Sequence, residues 1–384
     1  MTPDFDRVPD RRGTDSLKWN VDENELPLWV ADMDFPAAEP IRAALQKRID
    51  HGVFGYTEVP AAWYDAYTDW WKTRHGFAMD PDGLIFCTGA IPAISSMVRK
   101  LTTPAEKVVL QTPVYNIFFN SVLNNGRVPL ESPLAYKDGA YDMDLADLER
   151  KMADPQTTLM ILCNPHNPVG KIWPRPTLAE VGRLAKQYGV TVISDELHCD
   201  LTAPGHSYVP FASASDDCRS VSVTCLAPTK AFNLAGIQTA AVYVHDPFLR
   251  HKVWRGLNTD EVAEPNGFAC DAAVAAFTEG AEWLDALREY LFANRAFAED
   301  FIAENIPVIR AVKADATYLL WLDCRAVTSD DEALQSRLRE SAGVRLSPGS
   351  EYGKGGEGFL RLNLACTRAT LAEALERLAK AVGA

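Results

Sequence analysis

"SVTCLAPTKAFNLAG", Ser222–Gly236, runs from an alternating β-branched strand into a turn of small residues, and one lysine, Lys230, stands in that turn. A lysine is strongly hydrated, so a sheet-end turn among Ala, Pro and Phe is a costly place for it. Outward from this stretch the same pattern recurs. "TTLMILC" (Thr157–Cys163) is a buried strand by composition, and "VTVIS" (Val190–Ser194) is another. Between them "TLAEVGRLAKQYG" (Thr177–Gly189) reads as a helix with a Thr177/Glu180 capping box. Its apolar face is Leu178, Val181, Leu184, Ala185 and Tyr188, and Gly189 stops it. "GLIFCTGAIPAISSMVRKL" (Gly83–Leu101) reads as strand, glycine turn and helix, with the strand "KVVLQ" after it. Short apolar runs that alternate with amphipathic helices predict an α/β fold on a mostly parallel sheet.

The alternation changes after about Thr278. A long helix near Ala281–Asn305 leads to short strands at "PVIRAV" and "TYLLWL", the helix "DEALQSRLRES", the strand "FLRLNLA" (Phe359–Ala365) and a last helix. That is an α+β pattern, and 384 residues exceed one core of typical size. The expected organisation is an N-terminal segment, residues 1–50, packing on a small domain, a large domain at 51–270, and the small C-terminal domain at 271–384. The main boundary is expected near Pro265–Glu279.

Composition excludes several classes. The chain is 47% hydrophobic and 23% charged, as in ordinary globular proteins, and no apolar run approaches the ~18 residues of a membrane helix. The N-terminal "MTPDFDRVPDRRGTDS" has no apolar core of a signal peptide, so a cytoplasmic location is expected. A net charge of −14 without a basic stripe speaks against nucleic acid. The eight cysteines stand singly, with no CxxC, and read as small buried hydrophobes. His198, Cys199 and Asp200 of "LHCD" are metal-ligand types, but consecutive residues point apart and no metal is expected. "GKGGEG" (Gly353–Gly358) fits G-x-G-x-x-G yet precedes a strand near the end of the chain, so it reads as a mobile loop. No GxSxG elbow occurs, which weakens a serine-hydrolase reading.

Four strands end in residues out of keeping with their apolar runs. "LMILC" runs into Asn164 and Asn167, "VTVIS" into Asp195, "SVTCLA" into Lys230, and "LIFC" into Thr88-Gly89-Ala90. Each alone is an ordinary turn former. Ligands of parallel α/β sheets bind at the carboxyl ends of strands, so the four can converge. A lysine, a carboxylate, an asparagine and a helix N-terminus together suit pyridoxal phosphate (PLP). Lys230 offers an amine to its aldehyde as a Schiff base. Gly89, Ala90 and Ile91 offer backbone N–H groups to its phosphate. Asp195 keeps the pyridine nitrogen protonated, an effect of ~1–4 kcal/mol at about 4 Å. Asn167 donates to the ring hydroxyl.

"NPHNPVG", "SDELH" and "APTKAFNLAG", in this order and spacing, resemble the fold-type-I PLP enzymes of the aspartate aminotransferase superfamily. "LPLWVADMDFP", "FGYTEVP" and "TPVYNIFF" narrow the resemblance to the cystathionine β-lyase-like C–S lyases, and it covers nearly the whole chain. The resemblance implies a large PLP-binding domain with a smaller α+β domain. It makes Lys230 the covalent and acid/base residue, pairs Asp195 with the ring nitrogen and Asn167 with the ring hydroxyl, and stacks Tyr115 on the ring. It sends Tyr56 to the phosphate of a neighbouring subunit, hence a homodimer, and gives Arg361 the substrate α-carboxylate. Trp29 and Asp32 are expected to line the pocket beyond Cβ. The sequence also departs from common relatives. Gln238 stands where many have a phosphate-binding arginine, Ala227 replaces a hydroxyl residue, and His198 replaces a frequent tyrosine. Thr229 and Tyr56 are therefore the candidates for the phosphate, and His198 joins the cofactor-binding set.

The reaction so implied is α,β-elimination on a cysteine-derived thioether, with Lys230 taking the Cα proton, the β-thiolate leaving, and pyruvate and ammonia following. Two alternatives stand beside it: an aminotransferase with the same residues, and a regulatory binding protein that keeps the fold.

Overall fold

The computed structural model describes residues 3–383; Met1, Thr2 and Ala384, at the ends of the expected terminal segments, lie outside them. Seven strands build the main sheet: β1 Leu84–Cys87, β2 Lys107–Leu110, β3 Val128–Glu131, β4 Thr157–Cys163, β5 Thr191–Asp195, β6 Ser222–Leu226 and β7 Ala240–Tyr243. Their order is β1-β7-β6-β5-β4-β2-β3, and only β7 runs against its neighbours. The central strands are buried on both faces, which is why they read as unbroken Val/Ile/Leu runs. With six strands in one direction, Cys87, Leu110, Cys163, Asp195 and Leu226 all end at one edge.

Helices cover this sheet, among them α1 Glu39–His51, α2 Ala61–His75, α3 Ala90–Leu101, α4 Arg175–Tyr188 and α5 Ala269–Glu279. The apolar face expected for α4 is buried at Leu178, Val181, Leu184 and Ala185, and Gly189 caps it with a left-handed φ of 70°. The capping box is not formed. Pro176 in the first turn extends the helix back to Arg175, and Glu180 turns outward to pair with Arg183 at 2.7 Å.

The second sheet is antiparallel: β8 Arg310–Ala311, β9 Leu319–Asp323, β10 Ser347–Pro348 and β11 Phe359–Asn363, in the order β8-β9-β11-β10. It packs on α6 Ala281–Asn305, α7 Asp331–Ala342 and α8 Arg368–Gly383. Period-two alternation decides what β11 presents. Leu360 and Leu362 enter this core, so Arg361 and Asn363 face the other way, toward the main sheet.

Two expected limits shift. The boundary after residue 270 falls inside α5, whose Ala269, Ala272, Ala273 and Ala276 share a core with Trp63, Tyr67 and Trp71 of α2. The change of pattern expected after about Thr278 falls at Gly280, between α5 and α6. The first fifty residues also divide. Leu26–Pro27 pair in parallel with Val344–Arg345 and Leu28 joins the second core, whereas Phe35 and Ile41 are buried in the first.

Candidate active site

A cavity of about 280 Å³ opens at the strand-end edge. Lys230, Asp195, Asn167, Tyr115, His198 and Thr229 line it, together with Gly89, Ala90 and Ile91 at the start of α3. Gly89 has no side chain to cap that helix, and the first bond of its ladder runs from Ala93 N to Gly89 O. The N–H groups of Ala90 and Ile91 therefore have no partner within the helix.

Lys230 is partly covered, with its Nζ donating to the Ala31 carbonyl at 2.7 Å. Burial and the Arg361 charge lower its pKa to about 8, against the pull of Asp32 and Asp195. Asp195 is buried. Its Oδ1 accepts one hydrogen bond, from Leu197 N at 3.2 Å, and it has no ion-pair partner among the described residues. Burial raises its pKa to about 6, opposed by that N–H and by Lys230. His198 is buried and neutral, driven down to about 3 by burial and by the charges of Lys230 and Arg361. Its Nδ1 has no partner among the described residues. Tyr115 is held protonated, its pKa raised to about 12 chiefly by burial.

Arg361 does not line the cavity but reaches its rim. Its Nη1 donates to Asn167 Oδ1 at 3.2 Å and its Nη2 to the Trp29 carbonyl at 2.7 Å, while Nε is buried and unpartnered. That bond occupies Asn167 Oδ1 and leaves its amide N–H groups unengaged among the described residues.

Three expected residues do not line this cavity: Trp29, Asp32 and Tyr56, the last of which is expected at the neighbouring subunit's phosphate. Trp29 contributes its carbonyl to Arg361, and its ring lies beneath Arg345, 3.8 Å away. Asp32 is held by Arg11, with contacts of 2.7 and 3.1 Å, and acts on Lys230 only through its charge. Tyr56 is 105% exposed and lines a separate groove with Phe54 and Gln238. Gln238 itself also lines the cavity. The "LHCD" group separates too: His198 faces the cavity, and Cys199 and Asp200 lie beside His75, whose Nε2 is 2.9 Å from Asp200 Oδ1.

Residue-type reasoning missed Ala31, Asn233 and Tyr318. Tyr318 Oη donates to the same Ala31 carbonyl at 2.9 Å. Asn233 Nδ2 donates to the carbonyls of Met33 and Phe35, both at 2.9 Å, and its Oδ1 accepts from Met33 N at 3.1 Å. The signal for Asn233 was present: it follows Lys230 by three residues and takes a left-handed φ of 57°, a conformation Asn tolerates.

The fold and this strand-end site define a member of the aminotransferase class I and II family, whose model matches residues 22–378. The chain is 45% identical to the cystathionine beta-lyase PatB of Bacillus subtilis over 98% of its own length and 99% of the relative's. It is 33% identical to the protein MalY of Escherichia coli over 99% of each chain. Among solved structures, cystalysin from Treponema denticola, which contains a pyridoxal 5'-phosphate cofactor, superposes with a TM-score of 0.95 at 32% identity. That match covers 100% of this chain and 99% of the other.

Proposed function

We propose that this chain is a PLP-dependent carbon–sulfur β-lyase that cleaves cysteine-derived thioethers to a thiol, pyruvate and ammonia. One observation carries the reading: Lys230, Asp195, Asn167 and an uncapped helix start surround a single cavity, each with unspent bonding capacity suited to one part of PLP. The buried carboxylate of Asp195 has no ion-pair partner among the described residues and suits a protonated pyridine nitrogen. The free amide donors of Asn167 suit the ring hydroxyl, and the N–H groups of Ala90 and Ile91 suit the phosphate. Thr229 and Gln238 lie at the same cavity wall.

Bound there, PLP supplies an aldehyde that condenses with amines and a ring that stabilises negative charge on the substrate Cα. Asp195 holds the proton at the ring nitrogen. Arg361 binds the α-carboxylate, with Nε still free for it. Lys230 Nζ, with a pKa near 8, takes the Cα proton close to neutral pH. The thioether sulfur then leaves as a thiolate. Tyr115 packs as a neutral ring at the cavity wall and keeps water off that face.

We further propose a cytoplasmic homodimer in which Tyr56, fully exposed within its own chain, reaches the phosphate of the neighbouring subunit. The decisive test is incubation with L-cystathionine. The expected result is release of thiol and pyruvate without any added 2-oxo acid, lost in Lys230→Ala. Turnover that requires a 2-oxo acid makes the protein an aminotransferase, and undiminished thiol release by Lys230→Ala removes that residue from the chemistry.

A further inference from the structure

One backbone oxygen in the cavity wall receives two side chains. The Ala31 carbonyl accepts from Lys230 Nζ at 2.7 Å and from Tyr318 Oη at 2.9 Å. A carbonyl oxygen has two lone pairs, so both are taken. Tyr318 is buried just before β9, and its backbone is held firmly. Its own carbonyl accepts from Leu364 N at 2.7 Å, and those of Thr317 and Leu319 accept from Arg295 Nη2 at 3.3 and 2.8 Å. Ala31 is fixed in turn, because Asn363 holds the carbonyls on either side of it. Burial keeps the Tyr318 hydroxyl protonated far above neutral pH, so it stays a donor.

Two donors on one oxygen compete for its negative charge. An ammonium depends on that charge more than a neutral amine does, so the tyrosine hydroxyl weakens the ammonium's bond the more. The neutral amine is the form that accepts the Cα proton, the bonding electrons staying on the substrate. We propose that Tyr318 is a positioning residue for Lys230: by sharing the Ala31 carbonyl it favours the unprotonated amine and holds it at the cavity wall whenever the substrate amine has taken its place on the cofactor. This rests on Lys230 being the base of a PLP enzyme and adds to it a residue from the edge of the second sheet. The other groups that bear on Lys230 are Asp195, Asp32 and Arg361, with His198 and Tyr115 in the same cavity wall, and Tyr318→Phe leaves all of them in place.

Two readouts test this, and neither depends on a C–S bond. The first is the rate at which the cofactor-free chain captures added PLP, followed by absorbance over a pH series that spans the Lys230 value of about 8. Only the unprotonated amine reacts, so the rate rises with pH to a plateau, and Lys230→Ala shows none of it. Tyr318→Phe moves the midpoint up by about half a pH unit, a fraction of one neutral hydrogen bond. Capture then slows about threefold at pH 7 while the plateau is unchanged. The second readout is exchange of the Cα proton of L-alanine, which has no leaving group, into D2O by the PLP-loaded enzyme. Its rising limb moves the same way. Leu322→Val trims the second core from β9 without touching Ala31 and shifts neither readout. A midpoint that stays or falls in Tyr318→Phe, or that rises equally in Leu322→Val, overturns the proposal. A wild-type chain that captures no PLP refutes the cofactor reading, and the role of Tyr318 falls with it. If PLP is captured and the proton exchanged but no thiol is released from L-cystathionine, the lyase reading alone fails, and the midpoint shift still supports Tyr318.

Discussion

Asp195 is destabilising for the protein without its cofactor. Its pKa rises from 3.8 unfolded to about 6 folded. Between those values the folded state binds a proton that the unfolded state has released, so stability falls as pH rises through the window. Above pH 6 the full penalty remains, about 3 kcal/mol at 1.36 per pKa unit. Cofactor-free Asp195→Asn should therefore resist urea better than the cofactor-free parent at pH 8, and the gap should close as pH falls toward 4. His166, lowered to about 4 by burial, has the opposite sign: its contribution is present above pH 6.5 and lost on acidification toward 4. It is common to both proteins and cancels in the difference. A gap that is absent at pH 8, or that widens in acid, would mean Asp195 is not a buried anion. The same variant should lose most of its thiol-releasing activity, since a neutral amide holds no charge at the ring nitrogen. At this scale the sequence was informative where a polar residue ends an apolar strand, as at Lys230, Asp195 and Asn167. It did not show that Trp29 meets Arg361 through its carbonyl, because sequence does not reveal whether the backbone or the ring of a residue faces a neighbour.

Among elements, the irregular segment 28–35 ties the two sheets together. Asn233, one turn past Lys230, grips it through Met33 and Phe35, and Asn363 of β11 grips it through the carbonyls of Val30 and Asp32 at 2.6 and 2.7 Å. Ala31, whose carbonyl receives Lys230, lies between the two carbonyls that Asn363 holds, and just before them comes Trp29, whose carbonyl receives Arg361. Asn233→Ala removes three hydrogen bonds and places Ala at a positive φ, a loss of about 2–4 kcal/mol in urea unfolding. Asn233→Gly should recover only the conformational part. If Gly restores full stability, the hydrogen bonds contribute nothing and the segment is held by packing alone. The alternation in "FLRLN" made the facing of Arg361 and Asn363 legible, because a strand has a fixed period. The segment 28–35 was not legible, since it lacks regular structure beyond Leu26–Pro27 and its contacts lie some 200 and 330 residues away.

The whole molecule presents a problem that one chain does not solve. Val53, Phe54 and Tyr56 are 63%, 59% and 105% exposed, an apolar run standing off the surface, and Tyr56 does not line its own cavity. A closed two-fold dimer would cover that run and carry Tyr56 toward the other subunit. Two inactive variants test this. If Tyr56 serves its neighbour, a hybrid of Tyr56→Ala and Lys230→Ala subunits has one site with both residues intact, Lys230 from the first and Tyr56 from the second. Its other site lacks both. Random mixing makes half of the dimers hybrids with one working site each, so an equimolar refolded mixture should regain roughly a quarter of the wild-type rate. If Tyr56 serves its own chain, every site in the mixture lacks one residue or the other. The rate then stays at the mean of the two parents, and that result would return Tyr56 to its own subunit.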